Sequence, residues 1–134
     1  MGERSTIEWT HHTFNPWWGC TKVSPACDNC YAEAWARRFS VRWGAGQVRR
    51  MASDRTWAEP LKWNAKAERD RVRRRVFCAS MADVFDNDGE QLEGARTFLW
   101  ELIEMTPALD WLLLTKRIGN AVRMLPARWL ARPA

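Results

Sequence analysis

Two short apolar runs, "RVFCASM" (Arg75 to Met81) and "DWLLLTKR" (Asp110 to Arg117), flank an amphipathic stretch, and that arrangement narrows the fold more than any other feature. A strand covered on both faces reads as a continuous apolar run, not as strict alternation, and this is the habit of parallel sheets. Between the runs, "EQLEGARTFLWELIEMTP" predicts a helix from about Gly89 to Met105, with Leu92, Ala95, Leu99, Leu102 and Ile103 as its apolar stripe and Pro107 beyond its end. "IGNAVRML" begins one more helix after the second run. Upstream, "STIEWTHHTFNPWWGC" alternates weakly and predicts one or two short strands broken at Asn15-Pro16. A helix is expected from about Cys30 to Arg42, with Tyr31, Trp35 and Phe39 on one face and Arg37, Arg38 and Arg42 toward its carboxyl end. Residues 45–68, interrupted by Pro60, read as a loop plus a short helix, and "ADVFDNDG" reads as an acidic, flexible loop. Strand and helix thus alternate three times. That order predicts an α/β fold of parallel βα units. Chemistry in such sheets sits at the carboxyl ends of the strands, where the cysteines, "ADVFD" and "TKR" all fall.

At 134 residues the chain has room for one domain or part of one, and 46% apolar residues argue against global disorder. No apolar run approaches the length of a membrane span, and "MGERSTIEW" lacks the apolar segment of a signal peptide. A cytoplasmic location without membrane association is therefore expected. In a reducing compartment, four cysteines indicate metal or redox chemistry before disulfides. The net charge is +5, and "ERDRVRRR" (Glu68 to Arg75) sets five arginines against two acids. Such a run fits either a phosphate-rich partner or, more ordinarily, a solvated helix end leading into a strand. The ten tryptophans are too evenly spread for one binding patch and read as core or half-buried anchors, each with an indole N–H to satisfy. Trp17 and Trp18 alone lie close enough to the cysteines to line a site.

The stretch "WWGCTKVSPACDNCY" places Cys20, Cys27 and Cys30 within eleven residues. A structural zinc site needs four protein ligands. The fourth here would be His11, His12 or Cys78, and Cys78 sits inside an apolar run where a buried thiol acts as a small hydrophobe. The alternative is a 4Fe–4S cluster held by three thiolates, with one iron left open for the amino and carboxylate groups of S-adenosylmethionine. The bland alternative, three unliganded loop cysteines, sits poorly with three of the four thiols being gathered in one loop.

"TIEWTHHTFNPWWGCTKVSPACDNCYAE" resembles the amino-terminal signature of the phage gene product 37/68 family, three-Cys-motif proteins related to radical S-adenosylmethionine enzymes. "FCASMADVFD" and "WLLLTKR" look like that family's second and third strand motifs. The resemblance implies the amino-terminal part of an incomplete radical-SAM-like (βα) barrel, so that residues 1–134 form a single partial domain lacking later βα units. It implies a 4Fe–4S cluster on Cys20, Cys27 and Cys30 and reductive cleavage of S-adenosylmethionine to modify a substrate that the sequence does not name. Tyr31 would pack near the cofactor. Ser80, Met81 and Asp83 would face its methionine portion, with Asp83 on the ammonium group and Asp86 or Asp88 as the fallback, while Thr115 and Lys116 would line the floor. The x6-x2 cysteine spacing departs from the x3-x2 spacing of most radical enzymes, and His11-His12 stands where the family often has Asp-Ala.

Two other functions compete. One is a zinc-binding nucleic-acid-binding module that uses arginines and exposed tryptophans. The other is an inactive fragment of a longer phage enzyme. Basic charge makes a nucleic acid or nucleotide the expected substrate class. The sheet edge after "WLLLTKR" is expected to be open, which invites a partner chain or self-association.

Overall fold

The computed structural model describes residues 10–19, 49–87 and 91–130. Its centre is a three-stranded parallel sheet in the order β1-β4-β5, built from β1 (His12–Thr13), β4 (Arg74–Cys78) and β5 (Leu109–Leu113). β1 pairs His12 with Val76 and Thr13 with Phe77, and β5 runs alongside β4 from Arg74–Leu109 to Cys78–Leu113. A separate antiparallel ribbon joins β2 (Trp17–Trp18) to β3 (Arg50–Met51). The expected α/β class with parallel βα units is present. Among the described residues the sheet is open, β1 and β5 each pairing only with β4.

The central strand is buried for the reason its sequence suggests: Val76, Phe77 and Cys78 are almost fully enclosed. Its side chains alternate between faces. Val76 and Cys78 join a core with Trp63 and Ala67 of α1 (Asp54–Asp70) and Leu99, Trp100 and Leu102 of α2 (Gln91–Glu104). Phe14 meets Trp57 and Trp111 edge-on at 5.2 and 5.6 Å in the same layer. The strand is shorter than its apolar run. It ends at Cys78, and Ala79 to Asp86 continue as a buried loop rather than a flexible acidic one, with Val84 1% and Asp86 0% exposed.

Helix α1 departs most from expectation. It is one 17-residue helix and carries Pro60 inside it. Proline there removes the N–H that would bond the carbonyl of Thr56. Two features offset that cost. Ser53, in extended conformation, caps the amino end by accepting the Thr56 N–H at 3.3 Å. Pro60, Trp63, Asn64 and Ala67 also form one buried face at helical spacing. Asn64 reaches across to accept the Ala108 N–H at 2.8 Å, which fixes the turn into β5. The arginine run is the solvated helix end of the more ordinary reading: Arg69 lies in the last turn of α1, Arg71 caps it, and Arg73 pairs with Asp110 in the open.

After β5 come two short helices, α3 (Ile118–Met124) and α4 (Ala127–Leu130). Trp100 binds this end through its indole N–H to the Met124 carbonyl and an edge contact with Trp129 at 5.3 Å. Leu114, just past β5, and Ile118 and Val122 of α3 remain 64%, 75% and 70% exposed. Among the described residues, no helix is long and apolar enough to cross a membrane.

Arg71 sits in the left-handed region at φ 55° and ψ 44°. That conformation costs a non-glycine residue roughly 1–2 kcal/mol, part of which glycine returns through its larger unfolded-state entropy. Arg71→Gly should therefore raise stability by about 0.5 kcal/mol in urea unfolding.

At the start of β1, His11 Nδ1 accepts the Arg75 N–H at 3.0 Å, which requires that nitrogen to be unprotonated. Partial burial, reinforced by the Arg74 and Arg75 charges, holds its pKa below the usual histidine value. A depressed histidine pKa contributes stability above the unfolded-state pKa and loses it as the pH falls through that value toward the folded one. Urea midpoints at about pH 7.5 and pH 5 should thus fall further for the wild-type chain than for His11→Ala.

Candidate functional site at the carboxyl ends of the strands

Because β1, β4 and β5 are parallel, the residues that follow each strand gather at one end of the sheet. Asn15, just past β1, stitches the first two together: its Oδ1 accepts the Met81 N–H at 2.7 Å and its Nδ2 donates to Ser80 Oγ at 3.0 Å. Two strand ends are thereby locked by one buried amide. Gly19 extends the seam by donating its N–H to the Met81 carbonyl at 2.9 Å and bridging Ala82 in parallel register. Its φ of 125° is open only to glycine, so the turn made there depends on that residue.

The loop after β4 holds two buried carboxylates with different partners. Asp83 takes the Thr115 hydroxyl at 2.7 Å and the Phe85 N–H at 3.0 Å on Oδ1, and the Lys116 N–H at 3.1 Å on Oδ2. Asp86 takes Arg49 Nε on Oδ2 at 2.7 Å and an Arg117 guanidinium nitrogen on Oδ1 at 3.1 Å. Arg96 reaches in from α2 to the backbone of the same loop, donating to the Val84 carbonyl at 2.8 Å and to the Asp86 carbonyl. Burial lowers the Arg96 guanidinium from its ordinary pKa, against the opposing pull of Asp86, Glu93 and Asp83. Its Cζ also lies 5.9 Å from the centre of the Trp17 ring.

The ribbon of β2 and β3 stands beside this loop. It pairs Trp17 with Met51 and Trp18 with Arg50, and the Ala52 N–H bonds the Pro16 carbonyl at 3.0 Å. Trp17 is enclosed, whereas Trp18 faces outward with the Arg50 guanidinium 4.9 Å over its ring. The ribbon brings Gly19 and Arg49, the residues on either side of segment 20–48, to the base of one excursion. Both are fastened to the loop after β4.

Of the residues expected at a site, Ser80, Met81, Asp83, Thr115 and Lys116 come together here. Ser80, Met81 and Asp83 are buried, Thr115 is half-buried, and Lys116 is exposed, with its backbone serving Asp83. Asp86 is engaged by arginines. Cys20, Cys27, Cys30, Tyr31 and Asp88, with the helix expected at 30–42, lie outside the described residues. Among the described residues, no group of three or more histidines, cysteines or acids could hold a metal. Cys78 is fully buried, and burial pushes its thiol far above the usual range, so it is an inert core residue. The histidines lie toward the start of β1: His11 is bonded to the Arg75 backbone, and His12 stacks on Trp63 at 4.4 Å. A cleft of about 500 Å³ between α2 and α3, lined by Glu93, Arg96, Thr97, Trp100 and Arg123 among others, carries no comparable grouping of carboxylates.

Asn15, Arg49 and Arg96 escaped the sequence reading, and Arg117 entered it only within "TKR", without a role of its own. Arg96 left a signal, since it falls four residues after Leu92 and three before Leu99 on the apolar stripe of α2, where a charge needs a buried partner. Asn15 and Arg49 act across long sequence separations and left none as site residues.

A family model described as "Protein of unknown function (DUF5131)" matches residues 4–133. No curated protein and no solved structure matches the chain.

Removing one partner of a buried ion pair strands the other charge and costs about 3–5 kcal/mol. Asp86→Ala, which removes a buried carboxylate partner from both Arg49 and Arg117, should lose about 3–5 kcal/mol in urea unfolding. Arg73→Ala, which breaks an exposed pair, should leave the midpoint nearly unchanged.

Proposed function

We propose that this chain, which belongs to the DUF5131 family, binds a 4Fe–4S cluster through Cys20, Cys27 and Cys30 and uses it on S-adenosylmethionine at the carboxyl end of its parallel sheet. The fold in this reading is the amino-terminal part of a radical-SAM-like (βα) barrel. One observation carries it. Segment 20–48, which contains all three clustered cysteines, leaves from Gly19 and returns at Arg49, and both residues are tied to the loop after β4 where Ser80, Met81 and Asp83 lie. The segment that carries the cysteines thus begins and ends at the end of the sheet where βα folds do their chemistry. The orphaned indole N–H of the buried Trp17, three residues before Cys20, fits an electron-rich group bound there. Cys78 is chemically unavailable and the two histidines are engaged toward the other end of β1, which favours three protein ligands over four.

Such a cluster, when bound, supplies the electron that breaks a carbon–sulfur bond of S-adenosylmethionine. The chain's own part is to hold and orient the cofactor. Asp83 already accepts three hydrogen bonds, and a carboxylate has about four acceptor sites, so one remains for the ammonium group. Thr115 and the Lys116 backbone fix the direction of that carboxylate, and the Asn15–Ser80 bond fixes the strand end beside it. Tyr31, adjacent to the last cysteine, packs near the cofactor in this reading, and Met81 and Lys116 contribute to its walls. The net charge of +5 and exposed arginines such as Arg50 suit a substrate bearing phosphates, a nucleotide or nucleic acid.

Anaerobic reconstitution should give a brown protein with about four irons and four sulfides per chain. Replacing Cys20, Cys27 or Cys30 with Ala should abolish that uptake, and Cys78→Ala should retain it. Reduction in the presence of S-adenosylmethionine should release 5′-deoxyadenosine. A colourless protein that takes up zinc, or an equal need for Cys78, would replace this reading with a fully ligated structural site.

A further inference from the structure

Trp17 is 0% exposed, yet among the described residues its indole Nε1–H has no hydrogen-bond partner. Leaving a buried donor unpaired costs about 1–3 kcal/mol, so such a group calls for an acceptor. The buried or half-buried indoles of Trp100 and Trp111 obey that rule, donating to the Met124 carbonyl and to Thr106 Oγ1, each at 3.0 Å. Trp17 differs in its position. It lies on the enclosed side of β2, with Arg96 over its ring and the loop after β4 held by that same arginine. Two residues later the chain makes its glycine turn at Gly19, and Cys20 follows. Three residues span at most about 10 Å, so the backbone that carries this donor lies within that distance of the first cysteine's backbone.

We infer that the indole N–H of Trp17 donates a hydrogen bond to a sulfur of the cysteine-held cluster and raises its reduction potential. The inference rests on the cluster reading above and adds a residue that tunes the cluster without ligating it. Sulfide and thiolate sulfurs are negatively charged acceptors, and a donor to them stabilises the reduced, more negative state. Burial strengthens the effect, because no water competes for the N–H. Trp18, one residue on, cannot substitute, since it points to the other side of the ribbon and is covered by Arg50.

The test is the midpoint potential of the reconstituted full chain, measured by voltammetry. Trp17→Phe should retain iron and sulfide but shift the potential to more negative values, while Trp129→Phe should leave it unchanged. If Trp17→Phe fails to fold, the wild-type chain with ¹⁵N-labelled tryptophan answers instead. Electron–nuclear double resonance on the reduced cluster should then detect an exchangeable indole proton coupled to it. An unshifted potential in a loaded Trp17→Phe chain, or the absence of any coupled indole proton, overturns the inference and leaves the cluster reading intact. A wild-type chain that takes up no iron overturns both.

Discussion

The carboxylate of Asp86 is the point on which the arrangement at the sheet's carboxyl end depends. It receives Arg49 from the return of segment 20–48 and Arg117 from the end of β5, while Arg96 of α2 binds its carbonyl. Three separate parts of the chain are thereby referred to one residue. The energetics are those of a charge that cannot be abandoned. A buried carboxylate is costly alone, and two buried guanidiniums are costlier still if it is lost. Arg96 is held differently from the other two arginines: backbone carbonyls of the loop, those of Val84 and Asp86, accept from its guanidinium.

The two ends of the sheet are built on different physics. At the amino end, charges stay in water: Arg73 and Asp110 pair with both side chains about half exposed, and the His11 ring accepts from the Arg75 backbone. At the carboxyl end, polar groups are taken out of water and each is fixed by several partners, as with Asn15 and Asp83. An exposed pair adds little and constrains little, whereas a buried network commits side chains to one geometry. Rigid polar groups of this kind are what preorganised recognition of any ligand requires.

The parts legible in the sequence were those that depend on local periodicity. Leu92, Leu99 and Leu102 announced α2 within two residues of its observed bounds, and "RVFC" and "DWLLL" announced β4 and β5. Helix α1 was obscured because Pro60 is a local signal, and burial of Trp63 and Ala67 overrides it from a distance. The loop after β4 looked flexible because Asp83 and Asp86 are charged. It is buried because Arg49, Arg96 and Arg117 arrive from segments that no local window joins to it. The cysteines, Ser80, Asp83 and Thr115 could be named from motifs, but Asn15 and Arg49 belong to contacts that exist only in three dimensions.

The β2–β3 ribbon has a further consequence in the language of chain entropy. It closes the excursion at its base, with Trp17 opposite Met51 and Ala52 bonded to Pro16, before any residue of the excursion itself is counted. Once ends are joined, the closure penalty grows only logarithmically, about 0.6 kcal/mol for each doubling of loop length. For a flexible connection the number of residues between Gly19 and Arg49 would therefore weigh little against the clasp itself. What holds the two ends together is the pairing of Trp17 with Met51 and of Trp18 with Arg50, and the bond from Ala52 to Pro16.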